Sequence, residues 1–392
     1  MKITYIHQHF VLPSEGGGSR PYEFARRMVA DGHEVTMICG GAEPLDIEVE
    51  GIHVRRLKVP YKNSMPVPQR LLSFARFMML ASVTAAAVKA DVVFVSSTPL
   101  TVAIPGIIGK YIQRVPLVFE VRDLWPSVPI ELGYLNNTAA IGLARTLEKI
   151  AYRTADHIVA LSPGMRDGVL AVTPDKSVSV VPNACDFELF DHDEMQRTDA
   201  RAKYGWSKDE LVVVYAGGFG PIYEIEWSVR LAAALKSDKV RFVLIGEGAS
   251  SDSARKLANN LGLDADKLLC GKKARTEVAE YFSGADLILS TVDPSPCLEP
   301  CSINKIFDGM ASGKPILVNH GGWLRDQLVE SAAGWQLDRD IDTAADQIRA
   351  IANDHNLLKD YGAHSAALGR KKFDRNNLYA QLMEVLLAAT RE

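Results

Sequence analysis

Short apolar runs alternate with helix-length segments along nearly the whole chain. Ile3 to Ile6 reads as a strand, and a glycine-rich turn, GGGSR, follows it. Tyr22 to Ala30 carries apolar residues at helical spacing, Asp31-Gly32 is the stop, and DGHEVTMIC returns to a strand. DVVFVS and PLVFEV are buried-strand runs rich in β-branched residues, with TVAIPGIIGKY as the crossover between them. Ile141 to Tyr152 predicts a helix, and HIVAL and SVSVVPN two more strands. Strands separated by helix-sized segments imply a parallel sheet covered on both faces.

The stretch FDHDEMQRTDARAKYGWSKDE interrupts this rhythm. It is polar, holds no strand-like run, and reads as a linker region with one short helix. A second series follows: LVVVYAG, VRFVLIGEG, ADLILST and PILVN as strands, with helices at Trp227 to Leu235, Ser253 to Leu261 and Ile303 to Ala311. The expected architecture is α/β: two facing Rossmann-like domains, 1–185 and 186–372, with a deep cleft at their strand C-termini, where ligands bind in such folds. The last segment, 373–392, predicts an amphipathic helix packing back toward the first domain.

Composition narrows the function. A chain of 392 residues, 47% hydrophobic, exceeds what one core usually holds. With 44 Lys and Arg against 48 Asp and Glu, the net charge of −4 argues against nucleic acid as partner. Five cysteines at irregular spacing read as thiols rather than a disulfide framework, and Cys297 with Cys301 lacks the second ligand pair of a zinc site, so no metal is expected. The N-terminus has no signal-peptide pattern, and no stretch reaches the ~18 apolar residues that cross a bilayer. The expected location is cytoplasmic, at most peripheral on the inner membrane face. One segment favours that attachment. Residues 52–90 hold Arg55, Arg56, Lys58, Lys62, Arg70, Arg76 and Lys89 and no acid, interleaved with Leu71, Leu72, Phe74, Phe77, Met78, Met79 and Leu80. A helix here, within residues 55–80, can lie on an anionic membrane surface. It can equally be a core helix with solvent-facing arginines.

Four places carry candidate chemistry. Gly16, Gly17 and Gly18 follow the first strand and open a helix, where backbone amides approach an anion closely, and Arg20 adds a charged fork. Arg122 and Asp123 stand at the end of the strand PLVFEV. Asp123 can position a hydroxyl or accept its proton, or the pair can merely tie down a loop. The second series opens with YAGGFG, whose Gly217, Gly218 and Gly220 can cradle phosphate or a sugar face. In CSINKIFDGMASGKPILV, Ser302 can cap the next helix, while Lys305 sits in its first turn against the helix dipole. A diphosphate at that N-terminus, held by Lys305 and the backbone of Ser302, Ile303 and Asn304, removes the conflict. Asp308 shares the face.

Taken in order, GGGSRPYEFAR, EVRDLWP, ALSPGM, VVPN, YAGGFG and NKIFDGMASGKP resemble glycosyltransferase family 4 of the GT-B fold, over nearly the full chain. The branch it is similar to makes O-antigen and capsule, and includes fucosaminyl and N-acetylhexosaminyl transferases. The resemblance implies a retaining, metal-independent enzyme without cofactor. Its donor would be a nucleoside-diphosphate sugar, commonly UDP-linked, and its acceptor a saccharide or polyprenyl-diphosphate-linked chain. It maps the basic donor residue onto Lys305 and the ribose carboxylate onto Asp308, where a glutamate is usual. Sugar-hydroxyl recognition falls to Glu299, beside the family position at Pro300. A lysine that many relatives carry after the second glycine loop is replaced here by Pro221, Ile222 and Tyr223, leaving Lys272, Lys273 or Arg275 to supply that phosphate contact. Arg122 stands where some relatives have histidine, and it cannot act as a base near neutral pH. A sugar-nucleotide epimerase or a non-catalytic nucleotide-sugar-binding protein would share the glycine loops and the two domains.

Overall fold

The computed structural model describes residues 1–15, 20–62 and 65–391. They form two compact units: Met1–Pro182 with Pro300–Ser302 and Asn376–Glu392, and Asn183–Glu299 with Ile303–Arg375. Gly16, Gly17 and Gly18 lie outside the described residues.

The first unit is built on eight strands: β1 (Lys2–Ile6), β2 (Glu34–Gly41), β3 (Leu45–Val49), β4 (Ile52–Lys58), β5 (Val92–Ser96), β6 (Leu117–Val121), β7 (His157–Ala160) and β8 (Val178–Val180). Their order is β3-β4-β2-β1-β5-β6-β7-β8, with every pair parallel except β3 and β4. The central strands β5 and β6 are buried at every residue, as the continuous apolar runs require when helices cover both faces. The helix α1 (Arg20–Ala30) ends at Gly32, whose φ of +82° carries the chain out of the helix, while His33 N–H returns to Met28 O at 2.9 Å. The β3–β4 hairpin escaped the sequence reading. Its turn is the pair Glu50-Gly51, with φ of 47° and 76°, the combination that matches the twist of a two-residue hairpin.

The second unit holds β9 (Leu211–Ala216), β10 (Val240–Ile245), β11 (Leu287–Ser290), β12 (Ile316–Val318) and β13 (Gly334–Gln336), all parallel, in the order β10-β9-β11-β12-β13. The polar stretch expected as linker belongs to this unit. Its helix Glu194–Lys203 begins in a capping box made by Asp193 and Gln196. Arg197 and Arg201 reach Asp286 at 2.5 and 3.1 Å, and Trp206 is buried. Ion pairs rather than an apolar stripe hold this helix down, so hydrophobic periodicity could not reveal it. The helix Arg375–Ala389 lies in the first unit from Asn376 onward, where Tyr379 Oη donates to Asp31 at 2.6 Å and Arg27 Nε to Asn376 at 2.9 Å.

The basic segment corrects one expectation. Val67–Ala87 is a single helix, α2, long and apolar enough by length and composition to cross a membrane. It packs through a narrow stripe at four-residue spacing, Ser73, Phe77, Ala81 and Ala85. Ala85 meets Gly109 of the adjoining helix α3 (Ala103–Gln113), where a missing side chain lets the two come close. The rest of its apolar surface stays outside: Leu72, Met79 and Val83 are 68%, 59% and 72% exposed, and Tyr111 and Ile112 on α3 are exposed as well.

Candidate active site

In the first unit, polar side chains gather where β1, β5 and β6 end. Arg20, the first residue of α1, is fully committed there. Its Nε and Nη2 donate to Glu120 Oε1 at 2.9 and 2.8 Å, and its Nη1 to the Pro182 carbonyl. The other oxygen of Glu120 accepts from Ser96 Oγ at 2.6 Å. Both charges are essentially buried. Arg20 therefore anchors the start of α1 to β6 and is not the free anion fork expected from the sequence, because Glu120 already balances its charge and each of its three nitrogens donates to a carboxylate or a carbonyl.

Arg122 and Asp123 follow β6 directly. The Arg122 amide donates to Ser97 Oγ at 3.0 Å, and its Nη1 approaches His7 Nε2 at 3.4 Å. His7 Nδ1 faces the Ser96 carbonyl at 3.1 Å, so that nitrogen carries the proton and Nε2 accepts. Burial and the Arg122 charge hold His7 well below the usual histidine range and His9 at about 4, so both rings are neutral. Burial pushes the Asp123 carboxyl up to about 6, partly opposed by Arg122. A carboxylate poised near neutrality beside a fixed guanidinium can accept a proton from a hydroxyl. His7 and His9 were missed in the sequence, although both sit in the polar tail of the first strand.

The second unit organises its site around Lys305. The helix Asn304–Ala311 starts at Ile303, with no side-chain cap, so its first amides are not claimed by a capping side chain. Ser302 does not cap it. Lys305 lies in the first turn, yet it is only 5% exposed. Its Nζ stands 4.2 Å above the Tyr215 ring and 4.6 Å above the Tyr223 ring, and 3.2 Å from Tyr215 Oη. No ion pair neutralises it among the described residues. Burial alone lowers the ammonium to about 7. A side chain at Gly217 would collide with the lysine stem, 2.9 Å from Cε, so the first glycine of the loop after β9 is what admits the cation. Gly218 O accepts from Tyr215 Oη at 2.8 Å and Gly220 O from the Tyr223 amide at 3.0 Å, which fixes both rings over the ammonium. Tyr223, where the sequence resemblance leads us to expect a lysine, thus packs on the Lys305 ammonium.

Asp308 is buried one turn further on. Arg275 donates to both its oxygens, at 2.7 and 3.1 Å, and to Asp186 at 3.3 Å, while Arg375 closes the chain on Asp186 at 2.9 Å. Arg275 is therefore tied to two carboxylates and orients Asp308 rather than standing free for a phosphate. Lys272 is exposed, and Lys273 pairs with Glu277 at 3.0 Å. Glu299 is exposed, its carboxylate lying against Gly321, where an added Cβ would stand 2.8 Å from Oε1. Among the described residues no cluster of three His, Cys, Asp or Glu could hold a metal ion. All five cysteines are free of disulfides.

Residues 15–184 match the family profile described as a glycosyl transferase 4-like domain, and residues 196–367 match glycosyl transferases group 1. The chain is a glycosyltransferase with the two-domain GT-B fold, related to the families of these two profiles. It is 26% identical over 290 residues to the probable glycosyltransferase WbjE of Pseudomonas aeruginosa, covering 71% of this chain and 70% of that protein. In structure it is similar to sucrose-phosphate synthase of Thermosynechococcus elongatus, with a TM-score of 0.78, 18% identity and 98% of both chains covered. It is also similar to HepE of Anabaena solved with UDP-glucose, with a TM-score of 0.71, 18% identity, and 99% of this chain and 100% of that one covered.

Proposed function

We propose that this enzyme moves a sugar from a nucleoside-diphosphate donor, UDP-linked, to a saccharide or polyprenyl-diphosphate-linked acceptor in surface-polysaccharide assembly, with retention of configuration and without a metal. The observation that carries the donor half is Lys305: a buried ammonium with no counter-ion among the described residues, at a helix start with no side-chain cap. Holding a charge in that position is costly until an anion arrives. A diphosphate is the anion that gains from the ammonium and the helix amides together. The same two features stabilise the charge that develops on the departing diphosphate. Asp308, aimed by Arg275, is assigned to the nucleotide ribose, and Glu299 to the transferred sugar. UDP is favoured by the sequence resemblance and by the nucleotide that HepE was solved with.

Asp123 is assigned to the acceptor hydroxyl, with Arg122 holding its charge balance. The domain assignment follows: 1–185 for the acceptor, 186–372 for the donor, and 373–392 completing the first. The exposed apolar side of α2, with Arg70 and Arg76 on the same helix and no acid between residues 52 and 90, supports peripheral attachment to the cytoplasmic face of an anionic membrane. A lipid-linked acceptor would be reached from there.

The direct test is a binding screen of UDP, GDP and dTDP and their sugar conjugates, followed by product analysis with a membrane extract as acceptor. Transfer of an anomerically retained sugar from a UDP donor is expected. Epimer formation from the donor alone, or tight binding without transfer or hydrolysis under any acceptor, would overturn the reading.

A further inference from the structure

His320 stands two residues past β12, in the loop that closes against Glu299, and the donor chemistry assigned so far does not use it. The residue is 7% exposed. Its Nδ1 lies 2.8 Å from the Gly321 carbonyl. A carbonyl only accepts, so Nδ1 bears the hydrogen of the neutral ring, and Nε2 presents a bare lone pair. That Nε2 is buried and has no partner among the described residues. Burial and the nearby charges of Lys305, Arg325 and Arg339 hold the ring at about 4, so it stays neutral through the physiological range.

The surrounding backbone is fixed. Asn319 Oδ1 accepts the Val292 amide at 2.9 Å, its Nδ2 donates to Glu224 at 2.7 Å, and its carbonyl accepts from Arg339 at 3.3 Å. Gly322, at φ +101°, packs so tightly on Glu299 that an added Cβ would stand 2.4 Å from the Glu299 carbonyl. The lone pair is therefore held in place by its neighbours. A buried acceptor without a partner loses its hydration and gains nothing until a donor fills it.

We propose that His320 is a specificity-determining residue of the donor site, its Nε2 accepting a hydrogen bond from a hydroxyl of the sugar that the nucleoside diphosphate carries. This rests on the nucleotide-sugar reading above. A diphosphate oxygen offers no hydrogen at neutral pH and cannot satisfy a bare lone pair. A sugar hydroxyl can. Two acceptors, Nε2 of His320 and the Glu299 carboxylate, lie around the same loop, and both suit a polyhydroxylated ring. A site built to accept from a hydroxyl discriminates strongly against an analogue that lacks it.

Calorimetry with UDP, UDP-glucose and UDP-N-acetylglucosamine on the full-length wild type, His320→Ala and His320→Gln tests this. The wild type is expected to bind at least one sugar nucleotide more tightly than UDP. In His320→Ala that increment should fall by roughly tenfold or more, with UDP affinity unchanged within about twofold. His320→Gln, whose amide oxygen reaches about as far as Nε2, should restore most of it. An increment that survives in His320→Ala overturns the proposal. So does a parallel loss of UDP affinity in both variants, which marks a structural role. A wild type that binds none of the three probes rejects the UDP-sugar reading itself, and this inference with it.

Discussion

The ammonium of Lys305 lies 4.2 Å above the ring of Tyr215, at 3.2 Å from its hydroxyl, and among the described residues no carboxylate pairs with it. The aromatic face gives a buried cation partial stabilisation, on the order of 1–2 kcal/mol, far less than full hydration would. The site is thus left with a charge that an anionic ligand can complete. Lys305→Ala should lower turnover by about 10²–10³-fold while circular dichroism stays that of the wild type. Transfer within a few-fold of wild type would remove Lys305 from the site.

The same burial has a consequence for stability. Lys305 is held at about 7 in the folded protein and titrates at about 10.4 when unfolded. Between those values the unfolded chain binds the additional proton, so this group's contribution to stability rises with pH across that window. Below pH 7 the full cost of a buried charge is present. Lys305→Met should therefore raise the melting temperature of the ligand-free protein most at about pH 6, and progressively less toward about pH 10. A gain that grows with pH would contradict the sign.

Asp123 predicts an acid limb. With its carboxyl at about 6, the base form appears as pH rises through that value, and kcat/KM should rise with it. Asp123→Asn should flatten the limb and lower kcat by on the order of 10²-fold or more. If the variant keeps the wild-type limb, another group sets it.

Arg20 is expected to act on folding. Removing it leaves Glu120 buried without its counter-charge, which costs about 3–5 kcal/mol. Urea titration of Arg20→Ala should show that loss. Arg20→Lys should recover little, because one ammonium cannot reproduce the separate guanidinium donors to Glu120 and to the Pro182 carbonyl. Full recovery by lysine would mean that charge alone matters.

For α2, co-sedimentation with vesicles should rise with anionic lipid and fall with salt. The double change Arg70→Glu and Arg76→Glu should reduce binding by roughly thirtyfold or more, at about 1 kcal/mol per basic residue near the surface. Wild-type protein that ignores anionic vesicles at low salt would point to a soluble acceptor instead.

Much of the fold was legible in the order of residues. Apolar runs such as those of β5 and β6 announce strands buried on both faces, and Asp31-Gly32 announces the end of α1, because burial and backbone freedom are local properties. The three-residue spacing of Lys305 and Asp308 put them on one helix face. What their side chains meet was not local. Tyr215 comes from β9, ninety positions away, and Arg20 finds Glu120 a hundred positions along. Those meetings depend on which strand ends lie side by side, and the sheet orders, β4-β2-β1-β5-β6 and β10-β9-β11-β12, do not follow the chain. Hydrophobic periodicity records how deeply a segment is buried, but not its neighbour across the sheet. The sequence by itself therefore determined that Lys305 sits at a helix start. Only the tertiary structure decided that Arg20 and Arg275 are paired with carboxylates, and that Lys305 is buried against two aromatic rings with no ion pair among the described residues.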